Sequence, residues 1–294
     1  MTRRSFIGNS VKVIGACALV SQASDSVWAA PPSQETLRLA FLSDTHVAAD
    51  PKFENRKFFP AENLKVAVSQ TIAARPQAVF HTGDVARVTG EVEDYQAVKN
   101  LLGPLSEQCP TYVGLGNHDN RENFLKVFTP ASEARQKVTE RLVLVVEYPA
   151  LRVILLDSIL YVNRVAGLLG KAQRTWLDQY LASCDTRPTV LLVHHTLGDQ
   201  DGELLDVEAL YRIVQPYRKV KAIIYGHSHE YAFGEHHGIH LVNLPAVGYN
   251  FGDKAPVGWV DARFSPEGVE LTLRAFGGNR DSDGKTTSLA WRSS

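Results

Sequence analysis

Short apolar segments alternate with amphipathic segments along most of this chain, and that alternation limits the possible folds more than any other feature. The pattern predicts strands alternating with helices up to residue 225, and short strands alone from Ile239 to Phe276. Alternating elements favour a sheet covered by helices, whereas consecutive strands favour antiparallel pairing. The sequence therefore predicts an α/β fold, with a mixed sheet or two packed sheets flanked by helices.

The predicted elements follow one another closely. The strands are 37–42, 77–81, 110–115, 142–148, 151–156, 189–193 and 220–225, and the helices are 61–74, 95–102, 124–140, 171–181 and 207–214. A turn is predicted at Pro149-Ala150, and a late hairpin turns at Ser265–Gly268. We divide the chain into a signal segment (1–30), one globular domain (31–276) and a polar C-terminal tail (277–294).

Composition and charge argue against a nucleic-acid-binding function. The chain has 294 residues, of which 44% are apolar and 21% are charged, and its formal net charge is −1. This length supports one sizeable α/β domain, or two small ones, with an ample core. Because there is no excess of basic residues, we expect no nucleic-acid partner.

The N-terminus resembles a twin-arginine (Tat) export signal. Arg3-Arg4 precede a short apolar run from Val11 to Val20, and small residues at Val27 and Ala29 provide a cleavage site. This predicts the Tat machinery as a partner and a periplasmic location, with no transmembrane segment in the mature chain. A disordered basic N-terminus and a lipid anchor at Cys17 are the alternatives.

Two cysteines remain after such a cleavage, Cys109 and Cys184. An oxidising compartment would permit them to form a disulfide, but sequence does not show whether they lie close together. Their pairing stays open at this point.

Polar side chains follow five of the predicted strands. The clusters are Ser43-Asp44-Thr45-His46, Gly83-Asp84, Gly116-Asn117-His118-Asp119, His194-His195 and Gly226-His227-Ser228-His229. Each cluster alone is compatible with a helix cap, a turn or a buried histidine. In α/β sheets, however, ligands bind beyond the carboxyl ends of strands, so these five clusters are expected to converge.

The residue types in these clusters suit a transition metal. Carboxylate, imidazole and amide ligands favour Mn, Fe, Co or Zn, and the lack of thiolates argues against a closed structural zinc site. One aspartate shared by two ions would hold them about 3.5–4 Å apart, the separation used for phosphoryl displacement.

The order D-x-H, G-D, G-N-H-D, H and G-H-x-H resembles the calcineurin-like metallophosphoesterase superfamily, and the motifs span residues 44 to 229. The resemblance implies a four-layer αββα sandwich, with two mixed sheets flanked by helices and two divalent or trivalent transition-metal ions at one edge. It implies that Asp44, His46 and His229 bind the first ion, that Asn117, His194 and His227 bind the second, and that Asp84 bridges them.

The same resemblance implies a mechanism. A hydroxide shared by the ions attacks phosphorus in line, His118 assists the leaving oxygen, and Asp119 orients the His118 imidazole. We assign His194 as the metal ligand from its place in the motif and keep His195 as a substrate-side candidate. Arg56, in the charged loop 50–60, is a second candidate for substrate contact, and a solvated loop is the alternative.

The motifs and the chain length are most similar to phosphodiesterases of cyclic nucleotides and glycerophosphodiesters. Combined with the export pattern, they predict that the protein hydrolyses a small-molecule phosphodiester outside the cytoplasm. A phosphomonoesterase is the first alternative. A catalytically silent metal-binding scaffold for a protein partner is the second, and it predicts missing ligands or a missing His118, all of which are present.

Overall fold

A computed structural model describes residues 36–293, which form two mixed β-sheets and five helices. The strands are β1 (Leu37–Leu42), β2 (Ala78–His81), β3 (Thr111–Val113), β4 (Arg135–Val138), β5 (Arg141–Glu147), β6 (Arg152–Leu155), β7 (Thr189–Leu192), β8 (Val220–Tyr225), β9 (Ala232–His236), β10 (Ile239–Asn243), β11 (Pro256–Phe264), β12 (Gly268–Gly278) and β13 (Thr286–Ala290). The helices are α1 (Pro60–Ala74), α2 (Val92–Ser106), α3 (Arg121–Val127), α4 (Gly170–Ser183) and α5 (Val207–Val214). The predicted export signal lies outside the described residues.

The first sheet has the strand order β13-β12-β11-β1-β2-β3. Its parallel half is β1, β2 and β3, and β11, β12 and β13 add to it as antiparallel strands. The carboxyl ends of β1, β2 and β3 therefore lie side by side at one edge.

The second sheet has the order β4-β5-β6-β7-β8-β10-β9. Its central strands β6, β7, β8 and β10 are parallel, with antiparallel pairs at both ends. The predicted turn at Pro149-Ala150 joins β5 to β6, and the predicted hairpin at Ser265–Gly268 joins β11 to β12.

Alternation along the strands of the second sheet shows how the layers stack. In β7, Val190 and Leu192 pack in the same apolar cluster as the first sheet, whereas Leu191 packs with α4 and α5. Because successive strand residues point to opposite faces, one face of this sheet meets the first sheet and the other meets helices. Helices α1 and α2 pack on the first sheet, which confirms the predicted αββα order.

One predicted helix is wrong over most of its length. The pattern predicted a helix from Phe124 to Glu140, but α3 ends at Val127, and β4 follows and pairs with β5. Pro130 explains the difference, because proline lacks the N–H of a helix interior and drives the preceding residue to an extended conformation. Helix α3 also begins three residues before the predicted start, because Asn120 caps it and accepts hydrogen bonds from the N–H groups of Glu122 and Asn123.

The segment predicted as a polar tail contributes to the first sheet. Residues from Gly277 onward complete β12 and form β13, which pairs with β12 in antiparallel fashion. Trp291 and Leu289 pack against the core. Within residues 36–293, Cys109 and Cys184 are both free thiols, and none of the five helices has the length and apolar content needed to span a bilayer.

Candidate metal centre

The five polar clusters follow β1, β2, β3, β7 and β8, so both sheets contribute side chains to one place. Three groups of potential ligands form there, with the ligand atoms of each group within 4.8 Å of one another; one of them, His46, Asp84 and His118, shares a residue with each of the other two. The first of those two is Asp44, His46 and His229, and the second is Asp84, His194 and His227.

Asp84 connects the two groups. Its Oδ2 lies 3.4 Å from His194 Nε2, 3.7 Å from His46 Nε2 and 4.0 Å from His118 Nε2. Asn117 Oδ1 lies 3.3 Å from the same His194 nitrogen. A single carboxylate therefore faces both groups, as a bridging ligand must.

Two of the histidines each use one ring nitrogen in a hydrogen bond to a backbone carbonyl. The other ring nitrogen of each is then available to bind a metal. His229 Nδ1 donates to the Tyr249 carbonyl at 2.6 Å, which leaves Nε2 facing Asp44. His227 Nε2 donates to the Gly202 carbonyl at 3.0 Å, which leaves Nδ1. Backbone partners of this kind orient the imidazole of a metal ligand and set its tautomer.

Glycine is required where the loops carrying these residues cross. Gly83 has a φ of +141°, and a Cβ there would collide with the backbone of Leu115 and Gly116. A Cβ on Gly116 would collide in turn with Asp84. The two glycines allow the loops after β2 and β3 to approach closely enough for Asp84 and Asn117 to meet.

Electrostatics in this buried site favour a cation. Burial would raise the pKa of the Asp44 carboxyl, but His194 and His229 outweigh it and lower that pKa below its ordinary value. Burial would lower the pKa of His194, but Asp84 and Asp44 raise it to about 9. Asp44 Oδ1 is buried and has no hydrogen-bond partner among the described residues. A metal cation would satisfy that oxygen and supply the positive charge that the carboxylates attract.

The other two imidazoles are poor proton acceptors here. Burial lowers the pKa of His46 to about 3 and that of His227 to about 4. Neutral imidazole is the form that binds metals. The residues present therefore fit the predicted ions.

His118 lies at the mouth of the site, and its partner differs from the prediction. Its Nδ1 donates to the Val88 carbonyl at 2.9 Å, which leaves Nε2 facing Asp84. Asp119 was predicted to orient this imidazole, and that prediction is wrong. The buried Asp119 carboxylate instead accepts from the N–H groups of Gly116, Val85 and Ala86 and from the Tyr95 hydroxyl. Asp119 therefore ties the loops after β2 and β3 together.

The two tentative substrate contacts lie near the candidate ligands but do not line the cavity, and the His195 ring packs 4.9 Å from that of His227. His195 is fully buried, its Nδ1 bonds to Ser158 Oγ at 2.6 Å, and it does not line the cavity, so the predicted substrate contact is wrong. The Arg56 guanidinium lies 5.1 Å from the centroid of the Phe251 ring, and that ring stacks on His229 at 4.2 Å. Arg56 is thus close to the site and separated from it by one aromatic ring.

The site opens into a cavity of about 320 Å³. Its walls are formed by His46, Asp84, Asn117, His118, Val165, Thr196, Gly202, Glu203, His227, Ser228, His229 and Phe251. Sequence reasoning missed the contributions of Val88, Tyr249, Val165 and Phe251. None of these lies in a ligand motif, so only the folded chain brings them there.

Comparison with known proteins finds relatives that match most of this chain. A family model described as calcineurin-like phosphoesterase matches residues 37–231. The 3′,5′-cyclic adenosine monophosphate phosphodiesterase CpdA of Vibrio vulnificus is 27% identical over 253 residues, covering 83% of this chain and 88% of the relative. A probable glycerophosphodiester phosphodiesterase GpdQ of Arcobacter nitrofigilis is 28% identical over 197 residues, covering 64% and 70%.

Solved structures show the same fold. A dimetal phosphatase from Danio rerio superposes with a TM-score of 0.69 at 14% identity, covering 88% of this chain and all of that chain (100%). A purple acid phosphatase from yellow lupin gives a TM-score of 0.61 at 19% identity, covering 88% of this chain and 54% of the lupin chain. At these identities the likeness extends to the fold alone.

Proposed function

Because the chain belongs to the calcineurin-like phosphoesterase family, we propose that it is a phosphodiesterase that uses two metal ions. Family membership and the names of its relatives support a metal-dependent phosphoric ester hydrolase. The observation that carries the two-ion proposal is that Asp84 faces both ligand groups, with its Oδ2 3.7 Å from His46 Nε2 and 3.4 Å from His194 Nε2.

In this proposal Asp44, His46 and His229 hold one ion, Asn117, His194 and His227 hold the other, and Asp84 contacts both. This mixture of oxygen and nitrogen ligands suits Mn, Fe, Zn or Co. When bound there, such ions polarise phosphoryl oxygens and lower the pKa of water.

His118 is proposed to act on the leaving group. The Val88 carbonyl can only accept a hydrogen bond, so the proton on Nδ1 stays there and Nε2 is the nitrogen that faces the cavity. A proton held on Nε2 can be donated to the leaving oxygen or can stabilise charge on a phosphoryl oxygen. Asp119 supports this arrangement by bonding the loops that carry Asp84 and His118.

A diester is the proposed substrate because the relatives include phosphodiesterases of cyclic nucleotides and of glycerophosphodiesters. We further propose action outside the cytoplasm. The support for this is the twin-arginine pattern at Arg3-Arg4 with its apolar run and cleavage site.

The test compares hydrolysis of bis-p-nitrophenyl phosphate and p-nitrophenyl phosphate by protein reconstituted with Mn(II). We expect the diester to be preferred. Asn117→Ala removes a ligand of one ion and His118→Ala removes the proton donor, so each should lower kcat/KM by about 100-fold or more. Asn100→Ala and His237→Ala, both at exposed positions, are the matched controls.

Each other outcome has a definite meaning. Preference for the monoester would identify a phosphatase at the same site. Bound metal without turnover of any phosphoester would contradict the proposed activity and favour a metal-binding scaffold.

A further inference from the structure

Exposed apolar side chains are concentrated around this cavity. Val165 and Phe251 line it together with the candidate ligands, although 55% and 52% of their surfaces are exposed. Tyr161, which is 72% exposed, and Val162 lie in the same loop as Val165. Clusters of this kind on a water-soluble surface mark a place where an apolar group binds.

Hydrogen bonds fix this apolar loop in place. The N–H of Asn163 donates to the carbonyl of the candidate ligand Asn117 at 2.6 Å. The N–H of Gly167 donates to the Glu203 carbonyl at 3.0 Å, and Ile159 and Gly167 form a β-bridge that closes the loop. Tyr161, Val162 and Val165 are therefore held beside the metal centre.

The other side of the loop forms a second, larger cavity of about 740 Å³. Leu125, Leu160, Tyr161 and Val162 contribute apolar surface to it. Arg121, which also lines it, makes two bonds to Asp157 at 2.6 and 2.7 Å, so its charge is already neutralised. Glu122, Arg135, Glu140 and Arg141 line this groove as well, so it is part apolar and part charged, and Tyr161 and Val162 are its apolar side chains from the loop that carries Val165.

Phe251 forms another part of the wall of the metal cavity. Its ring stacks on His229, meets the Tyr249 ring edge-on at 5.8 Å, and has the Arg56 guanidinium 5.1 Å from its centroid. These contacts restrict the ring, so its exposed part is a preformed surface.

We propose that this site selects phosphoesters that carry an apolar alkyl or aryl group, with Val165 and Phe251 as the specificity-determining residues and Tyr161 extending the surface. This inference rests on the proposed phosphoester hydrolysis and names its substrate class. An apolar group placed there gains contact with Val165 and Phe251, and the removal of this apolar surface from water stabilises the complex.

The experiment varies only the apolar group. Methyl, butyl and octyl esters of p-nitrophenyl phosphate share one leaving group, so the chemical step stays constant along the series. A fully buried methylene contributes up to about fourfold, and this half-exposed surface should give about twofold for each of the first methylenes. We therefore expect kcat/KM to rise about eightfold or more from methyl to butyl.

Variants identify the surface responsible. Val165→Thr replaces a methyl group by a hydroxyl of similar shape, and Phe251→Leu removes the ring. Each should lower the butyl-to-methyl ratio of kcat/KM by about half or more. Val66→Thr, at a comparably exposed position on α1, is the matched control and should leave that ratio unchanged.

Binding is measured separately from turnover. Methyl-, butyl- and octylphosphonate are titrated calorimetrically into Mn-loaded protein, and affinity should rise along the series. Equal kcat/KM and equal affinity across the series would overturn this inference and leave the proposed hydrolysis intact. Loss of turnover on every ester, with affinity still rising with chain length, would instead overturn the proposed hydrolysis alone. Activity on the octyl ester only above its critical micelle concentration would also overturn the inference, in favour of binding to a lipid surface.

Discussion

At the scale of single residues, the candidate ligands occupy backbone conformations that are costly for residues other than glycine. Asp44, His46, Asp84, His227 and His229 have φ values of 53°, 46°, 54°, 72° and 56°. Each such residue costs about 1–2 kcal/mol. Hydrogen bonds between the loops offset this conformational cost. The Asp44 N–H donates to the Gly83 carbonyl and the His46 N–H donates to the Asp84 carbonyl, both at 3.0 Å.

His81 lies behind these loops and connects them. Its Nδ1 accepts from the Gly83 N–H at 3.2 Å, so its Nε2 carries the proton and donates to Thr45 Oγ1 at 3.2 Å. The Thr45 hydroxyl then donates to the Val85 carbonyl at 2.8 Å. One buried histidine thus links the loop that carries Asp44 and His46 to the loop that carries Asp84.

Replacement of His81 should weaken metal binding through this link. We expect His81→Leu to reduce Mn(II) affinity at least about tenfold, as is common for residues that orient ligands. His81→Gln keeps a hydrogen-bond donor near Thr45, and His81→Asn keeps an acceptor near Gly83. Both variants should therefore bind Mn(II) more tightly than His81→Leu does. Calorimetric titration of metal-free protein measures this.

Thr71→Val is the control for this series, because it removes a buried hydroxyl that bonds only within α1. Its Mn(II) affinity should equal that of the unmodified protein. An unchanged affinity in His81→Leu would show that the link does not position the ligands.

At the scale of elements, a buried carboxylate joins three strands of the first sheet. Asp261 on β11 is 3% exposed, accepts two bonds from Arg38 on β1 at 2.8 and 2.6 Å, and accepts one from Arg274 on β12 at 3.1 Å. Burial would raise the pKa of Asp261, but the two arginines outweigh it and lower that pKa below its ordinary value.

Asp261→Asn should therefore destabilise the fold in a pH-dependent way. At pH 7 we expect a loss of about 2 kcal/mol in the free energy of unfolding, as for bonds to charged groups. Because the pKa of Asp261 is lower in the folded protein than in the unfolded chain, its ionised carboxylate stabilises the fold at pH values above the unfolded pKa of about 4. This contribution is lost as the pH falls through the pKa of the folded state. Urea denaturation at pH 7, 5 and 3 should show the two proteins converging toward pH 3.

The exposed Asp281→Asn is the control, and its unfolding free energy should follow that of the unmodified protein at each pH. A constant difference between Asp261→Asn and the unmodified protein across this range would contradict an ionised Asp261 in the folded state.

The last strand joins the two sheets. Beyond β13, the Arg292 Nε donates to the Val220 carbonyl at 2.9 Å, and Lys221 Nζ donates to the Arg292 carbonyl at 2.7 Å. Both partners lie on β8 of the second sheet, whereas β13 pairs with β12 of the first. The C-terminal segment is thus a structural part of the domain.

Ending the chain after Gly284 should lower the free energy of unfolding by about 3 kcal/mol or more, because Leu289 and Trp291 lose their packing. The urea midpoint measures the loss. Ser288→Ala, on the exposed side of β13, should change stability by less than about 0.5 kcal/mol. An unchanged midpoint in the shortened chain would show that β13 is dispensable.

At the scale of the whole molecule, the candidate metal centre lies where the sheets meet. The first sheet supplies Asp44, His46, Asp84 and Asn117, and the second supplies His194, His227 and His229. Ions bound there would connect the sheets and neutralise two buried carboxylates. Metal binding should therefore stabilise the fold by mass action.

We expect chelation to lower the Tm measured by scanning calorimetry. With free Mn(II) at 100 times its Kd, the stabilisation is about 2.7 kcal/mol, or about 5–10 °C for a domain of this size. Asp84→Ala should abolish most of this shift, whereas Asp281→Ala should retain it. Equal Tm values with metal and with chelator would contradict a metal site between the sheets.

The sequence by itself determined the ligand candidates and the class of fold. Each polar cluster follows a strand directly, and strand alternation is a local property of neighbouring residues, so both are visible without coordinates. The same local reasoning misassigned residues 128–140, where Pro130 and pairing with β5 prevailed over the helical pattern.

Only the tertiary structure decided which groups the site residues contact. His118 bonds to Val88, 30 positions away, and His195 bonds to Ser158, 37 positions away. Phe251 reaches His229 because the chain returns from the second sheet to the first. Such partners depend on strand order and loop crossing, which no local pattern encodes, because they arise only when distant segments pack on one core.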